Sequence, residues 1–82
     1  MESAHPPARP LDPAVSKVIN VMGHERGMAV VDEVMRHANL RELRTPDDRY
    51  AFGCVLMKRG GVFEAIGRAI KIQAILYGAS ER

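Results

Sequence analysis

Apolar residues recur at intervals of three and four residues in four segments of the chain, which is the spacing of one face of an α-helix. We therefore predict helices over about residues 12–22, 25–38, 46–59 and 62–77. No segment shows the alternation of apolar and polar residues that is typical of a β-strand. The predicted fold class is all-α, a small bundle of about four helices arranged as two helical hairpins.

Local signals mark where these helices start and stop. Asp12-Pro13 and Thr45-Pro46 each combine a side-chain oxygen that can cap a helix with proline at the first helical position. Gly23, Asn39 and Gly78 follow predicted helices, in the place where a residue that tolerates left-handed backbone often ends a helix. Because these signals are local in the chain, they define the helix limits without knowledge of the packing.

The chain of 82 residues is long enough for one domain only. Residues 1–11 contain Pro6, Pro7 and Pro10 and little apolar material, so we predict a disordered or extended proline-rich arm. Residues 12–79 form the single predicted helical domain, and residues 80–82 a frayed C-terminus.

Two halves of the chain, residues 12–39 and 45–78, share the order of capped helix, glycine turn and second helix. A repeat of this length is typical of helical hairpins. The second half resembles a tetratricopeptide repeat over about 20 residues in its small-residue spacings. The resemblance is carried by Phe52-Gly53, Gly60 and Glu64-Ala65-Ile66. It departs from that family at Ile72 and in having no proline near Tyr77, and we interpret it as geometry common to tight helical hairpins.

The fourth predicted helix is apolar around most of its circumference, and such a helix is normally buried nearly all round. A domain this small has little other surface with which to cover it. Two interpretations stay open: the helix is the central core helix, or it forms an interface with another chain. In the second case we expect the interface to contain Phe63, Ile66, Ile70, Ile75 and Tyr77.

Charge is unevenly distributed although the net charge is only +2. Residues 12–35 carry two cations against four anions, whereas residues 36–71 carry eight cations against four anions. This asymmetry favours association steered by charge, or a basic face for nucleic acid. Within the second helix, Glu33 and His37 are spaced to pair at i,i+4. The residues of the alternative nucleic-acid contact are Arg41, Arg44, Arg49, Lys58, Arg59, Arg68 and Lys71.

No motif predicts catalysis, a metal site or a cofactor. His24-Glu25 begins a zinc-binding HExxH pattern, but Met28 stands where the second histidine is needed. Asp47 and Asp48 are adjacent, so they point about 100° apart on a helix and suit its positive first turn better than acid–base catalysis. Cys54 is the only cysteine, which rules out an internal disulfide.

We therefore predict a non-enzymatic helical protein–protein interaction module without cofactors. Its partner is a second copy of the chain, as a homodimer, or another protein in a larger complex. A small nucleic-acid-binding or regulatory protein is the alternative. No apolar run reaches the roughly 18 residues needed to span a bilayer, so we expect no membrane insertion and a cytoplasmic location.

Overall fold

The structure, a computed structural model, describes residues 11–80 and contains four α-helices. They are α1 (Pro13–Met22), α2 (His24–His37), α3 (Pro46–Met57) and α4 (Val62–Leu76). No strand is present between residues 11 and 80, and the predicted all-α class is confirmed. The predicted arm lies outside the described residues except for Leu11, as do residues 81 and 82 of the predicted frayed end.

Side-chain caps begin α1 and α3, as the sequence predicts. Asp12 Oδ1 accepts a hydrogen bond of 2.9 Å from the backbone N–H of Ala14. At α3, Thr45 Oγ1 accepts from the N–H of Asp48, and the Asp48 carboxylate accepts from the N–H of Thr45, both at 3.1 Å. This reciprocal pair is a capping box, and it satisfies backbone donors that have no partner inside the helix.

Left-handed residues end α2 and α4. Asn39 has φ 60°, and the N–H of Leu40 donates to the carbonyl of Met35. Gly78 has φ 109°, and the N–H of Ala79 donates to the carbonyl of Ala74. Both ends have the hydrogen bonds of a Schellman motif, which satisfies carbonyls of the last helical turn.

Several helix limits differ from the prediction by one or two residues. Gly23 is both the last cap of α1 and the first cap of α2, so α2 begins at His24 with no linker. The third helix ends at Met57 because Lys58 and Arg59 form the turn that leads into Gly60, whose φ is 77°. Ser80, within the predicted frayed end, donates a 2.8 Å backbone hydrogen bond to Asp47 Oδ1.

The predicted pair of hairpins is also confirmed. The helices pack chiefly as α1 on α2 and α3 on α4, and the two hairpins touch each other over a smaller area. The most deeply buried side chains come from the first three helices: Val18, Val34, Phe52 and Leu56. Ile66 and Ile70 of α4 complete this core.

The contact between α3 and α4 is unusually close because glycine faces glycine. A Cβ added to Gly67 would lie 2.6 Å from the carbonyl oxygen of Gly53 and 2.6 Å from Cγ of Met57. A Cβ added to Gly53 would lie 2.8 Å from the carbonyl oxygen of Gly67. The two backbones therefore approach as closely as they do only because neither position carries a side chain.

The capping box predicts a specific dependence of stability on pH. The Asp48 carboxylate accepts backbone hydrogen bonds from Arg44 (2.9 Å) and Thr45 (3.1 Å), and the Arg44 bond is the main cause that lowers the pKa of Asp48. A carboxyl whose pKa is lowered by folding stabilises the protein above its unfolded pKa of about 3.9. That stabilisation is lost as the pH falls through the folded pKa.

We therefore expect Asp48→Asn to lose about 0.3–1 kcal/mol at pH 7 and to flatten the acid side of the stability profile. Urea unfolding followed by circular dichroism between pH 7 and strongly acid pH measures this. Asp32→Asn is the control, since Asp32 is exposed and makes no side-chain hydrogen bond within residues 11–80. A profile as steep for Asp48→Asn as for the wild type contradicts the assignment.

Candidate functional site

The inner side of α4 is committed to the core of the chain itself. Ile66, Gly67, Ile70 and Ala74 are all buried, Ile70 and Ala74 to about 2% exposure. Phe63 is half-buried against the same core, with the Arg59 guanidinium 5.2 Å from its ring centroid. On this side, α4 is a core helix, which is the first of the two interpretations that the sequence leaves open.

The opposite side of α4 is apolar and exposed. Its residues follow one another at intervals of three, four, three and four, and on a helix they share an arc of about 80°. Val62 is 50% exposed, Ile72 54% and Leu76 77%. Two exposed alanines lie between Val62 and Ile72. We call this surface the outer face, and it consists of Val62, Ala65, Ala69, Ile72 and Leu76.

The outer face contains no charged residue, and the two charged residues along one of its edges neutralise each other. Glu64 and Arg68 lie along one edge and form an ion pair of 3.0 Å with each other. Ile75 continues that edge toward the C-terminal end of α4, where Tyr77 follows with its side chain exposed. Gln73 is the polar residue of the other edge. The edge therefore presents a neutral pair and not an uncompensated charge.

The structure divides the interface residues expected from the sequence between the buried and the exposed side of α4. Ile66 and Ile70 are buried within the chain, so they are not available to a partner in this fold, whereas Ile75 and Tyr77 are exposed. The fourth helix is apolar around most of its circumference, and the pattern alone does not indicate which apolar side meets α3. Gly67 is the residue that marks the inner side, but only through its contact with Gly53 of α3 in the folded chain. The exposed residues that sequence reasoning missed are Val62, Ile72 and Leu76.

Most of the seven cations assigned to a basic face have partners within the chain. Lys71 lies over the Tyr50 ring, with Nζ 5.1 Å from the centroid. Arg41 and Lys58 are exposed and make no ion pair within residues 11–80. The ion pairs are Arg44–Glu42, Arg49–Asp12, Arg59–Glu33 and Arg68–Glu64, at 3.5, 2.7, 2.9 and 3.0 Å. Nucleic-acid binding stays a prediction, and this pairing reduces the free positive charge on which it would depend.

Two of these ion pairs join the hairpins. Asp12, at the start of α1, binds Arg49 of α3, and Glu33 of α2 binds Arg59 just after α3. The Asp12 carboxylate raises the pKa of the Arg49 guanidinium above its ordinary value. Two acidic residues of the first half of the chain are thus paired with two basic residues of the second half within one molecule.

A cavity of about 270 Å³ lies where the hairpins meet. Buried Ile70 and Ala74 belong to its lining, and the cations Lys17 and Arg49 also border it. Arg49 is already bound to Asp12. The remaining lining residues are Pro13, Ala14, Pro46, Gln73 and Tyr77.

Comparison of the chain with protein-family models, with curated proteins and with solved structures finds no match. The likeness of the second hairpin to a tetratricopeptide repeat accordingly has no support from a family match. Within residues 11–80, none of the helices combines the length and apolar character needed to cross a bilayer.

Proposed function

We propose that this chain is a non-enzymatic helical protein–protein interaction module that forms a homodimer through the outer face of α4. One observation carries the proposal: large apolar side chains are exposed along a single arc of a helix whose other side is already buried. Single exposed apolar residues are ordinary, but a contiguous apolar surface commonly marks an interaction site.

The size of the outer face indicates how tight this dimer is. A helix of 15 residues is about 22 Å long. Two such helices in contact bury less than the roughly 1,600 Å² of a standard stable interface. We therefore expect a weak dimer that dissociates on dilution through concentrations on the order of micromolar.

A charge in the outer face should abolish the dimer. Ile72→Glu introduces two carboxylates into the interface, one from each copy, and each would be buried against apolar surface. We expect a monomer at every concentration at which the wild type is dimeric, with unchanged helicity because Ile72 is exposed in the monomer. Sedimentation equilibrium over a concentration series measures the mass, and circular dichroism the helicity.

Val21→Glu is the matched control, since Val21 is 52% exposed but lies on α1. It should leave the mass at each concentration equal to that of the wild type. A wild type that is monomeric at the highest concentration refutes the homodimer. Equal loss of the dimer in both variants would instead indicate a general effect of added negative charge.

The other form of the same function is membership in a larger complex. A cytoplasmic location is predicted from the sequence for either form. A monomeric wild type would favour the complex over the homodimer.

A further inference from the structure

We infer that the two α4 helices of the dimer run antiparallel and cross at Ala69. This inference rests on the proposed homodimer and specifies how its two copies are arranged. It follows from the order of large and small side chains along the outer face, together with the neutral edge beside it.

The residues of the outer face lie at nearly equal distances along the helix on the two sides of Ala69. Val62 and Leu76 are each seven residues from it, which is about 10 Å along the helix axis. Ala65 and Ile72 are four and three residues from it, about 6 and 4.5 Å. A two-fold axis at Ala69 therefore brings Val62 opposite Leu76 of the second copy, and Ala65 opposite Ile72, within about 1.5 Å in height.

This pairing places small residues against large ones. Ala65 leaves room for Ile72 of the second copy, and Ala69 meets the second Ala69 where the helices come closest. Small residues at a crossing allow the two axes to approach toward the lower end of the usual 8–10 Å range. The larger residues, Val62 and Leu76, lie at the ends of the contact, where crossing helices diverge.

A parallel arrangement fits the same face poorly. It would place each residue opposite its own copy, so Ala65 and Ala69 would meet alanines while Ile72 and Leu76 would meet equally large residues. Contact between the large residues Ile72 and Leu76 would hold the two helices apart where the alanines lie. The resulting gap would forfeit the dispersion contacts of the alanines. The parallel arrangement would also bring together helix ends of the same partial charge.

The charged edge is compatible with the antiparallel arrangement. A two-fold axis perpendicular to the helices brings the same edge of both copies together, so Arg68, one residue from the crossing, lies near its equivalent. Each Arg68 is bound to its own Glu64 at 3.0 Å. Because each copy supplies a neutral pair, no net like charge accumulates at the crossing.

Cysteine cross-linking distinguishes the two directions. In a Cys54→Ala background, Ala69→Cys should shift to the dimer band on oxidation, since a disulfide requires Cα atoms about 4.4–6.8 Å apart. Val62→Cys and Leu76→Cys should each stay monomeric when oxidised alone, because equivalent residues would be about 21 Å apart along the axis. A mixture of these two variants should form the cross-linked dimer.

The outcomes separate the inference from the function on which it rests. Self-cross-linking of Val62→Cys and of Leu76→Cys, with none in their mixture, means parallel helices and overturns the inference while the homodimer stands. A dimeric mass without any of these cross-links means a dimer through another surface, and this result also overturns the antiparallel arrangement. A monomeric mass for the Cys54→Ala protein and the wild type refutes the homodimer itself. Val21→Cys in the same background should give no dimer band.

Discussion

Replacing Gly67 by alanine should destabilise the fold by about 1–3 kcal/mol, although alanine is the better helix former by about 1 kcal/mol. The added Cβ would lie 2.6 Å from the Gly53 carbonyl oxygen and 2.9 Å from the backbone nitrogen of Met57. Backbone atoms of a neighbouring helix cannot rotate aside as a side chain can. The helices must therefore move apart, which separates the packed side chains around the crossing.

Urea unfolding followed by circular dichroism measures this loss, and thermal unfolding should show a fall of roughly 4–8 °C per kcal/mol for a domain of this size. Gly53→Ala should cost less, since its contacts with backbone atoms are longer, 2.8 Å to the Gly67 carbonyl oxygen and 3.2 Å to the backbone nitrogen of Lys71. Ala65→Gly is the control on the exposed side of α4 and should lose only about 1 kcal/mol of helix propensity. A Gly67→Ala protein as stable as the wild type would mean that the helices are farther apart than the structure has them.

The helix limits could be predicted from the sequence because the interactions that determine them are local. Thr45 and Asp48 cap α3 through hydrogen bonds between residues three apart, and Asn39 ends α2 through its own backbone angle. Residue type and spacing are sufficient to recognise such interactions. The all-α class and the two hairpins follow from the same local signals.

The buried side of α4 could not be predicted in the same way. Apolar residues around most of a helix leave its orientation open, and the choice depends on which apolar side can come closest to α3. Gly67 opposite Gly53 makes one side suitable for close contact, and this places Ile72 outward. The relation between residues 14 positions apart became visible only once the two helices were placed together.

The sequence interpretation assigns the uneven charge to contacts with partners, yet some of these charged residues form ion pairs within the chain. Asp12 and Arg49 are 37 positions apart, and Glu33 and Arg59 are 26 apart. Glu33, which the sequence suggests as a partner of His37 on the same helix, instead reaches Arg59 at 2.9 Å. Sequence spacing cannot show such pairs, because they form only when the hairpins are docked.

Asp12→Ala should cost about 2 kcal/mol, because Asp12 has two structural roles at once. Its Oδ1 caps α1 by accepting from the Ala14 N–H, a role worth about 1 kcal/mol. Its Oδ2 accepts from Arg49, with distances of 2.9 Å to Nε and 2.7 Å to Nη2. The Arg49 side chain is only 28% exposed, so the loss of its partner leaves a guanidinium partly desolvated.

Asp12→Asn separates the two roles, since its amide oxygen can still cap α1 while the negative charge is gone. We expect it to lose about 1 kcal/mol, and Asp12→Ala in an Arg49→Met background to lose only the cap, again about 1 kcal/mol. The double-mutant cycle from urea unfolding should give a coupling of about 1 kcal/mol between Asp12 and Arg49. A coupling of zero would mean that the ion pair does not hold the hairpins together.

The same variants also test where the dimer surface lies. Asp12 and Arg49 lie at the junction of the hairpins, whereas the outer face lies on the side of α4 opposite its core contacts. Asp12→Asn should therefore lower stability and leave the mass in solution unchanged, and Ile72→Glu should lower the mass and leave the helicity unchanged. Loss of the dimer in Asp12→Asn, under conditions where its helicity is intact, would place the contact between copies at the hairpin junction and not on α4.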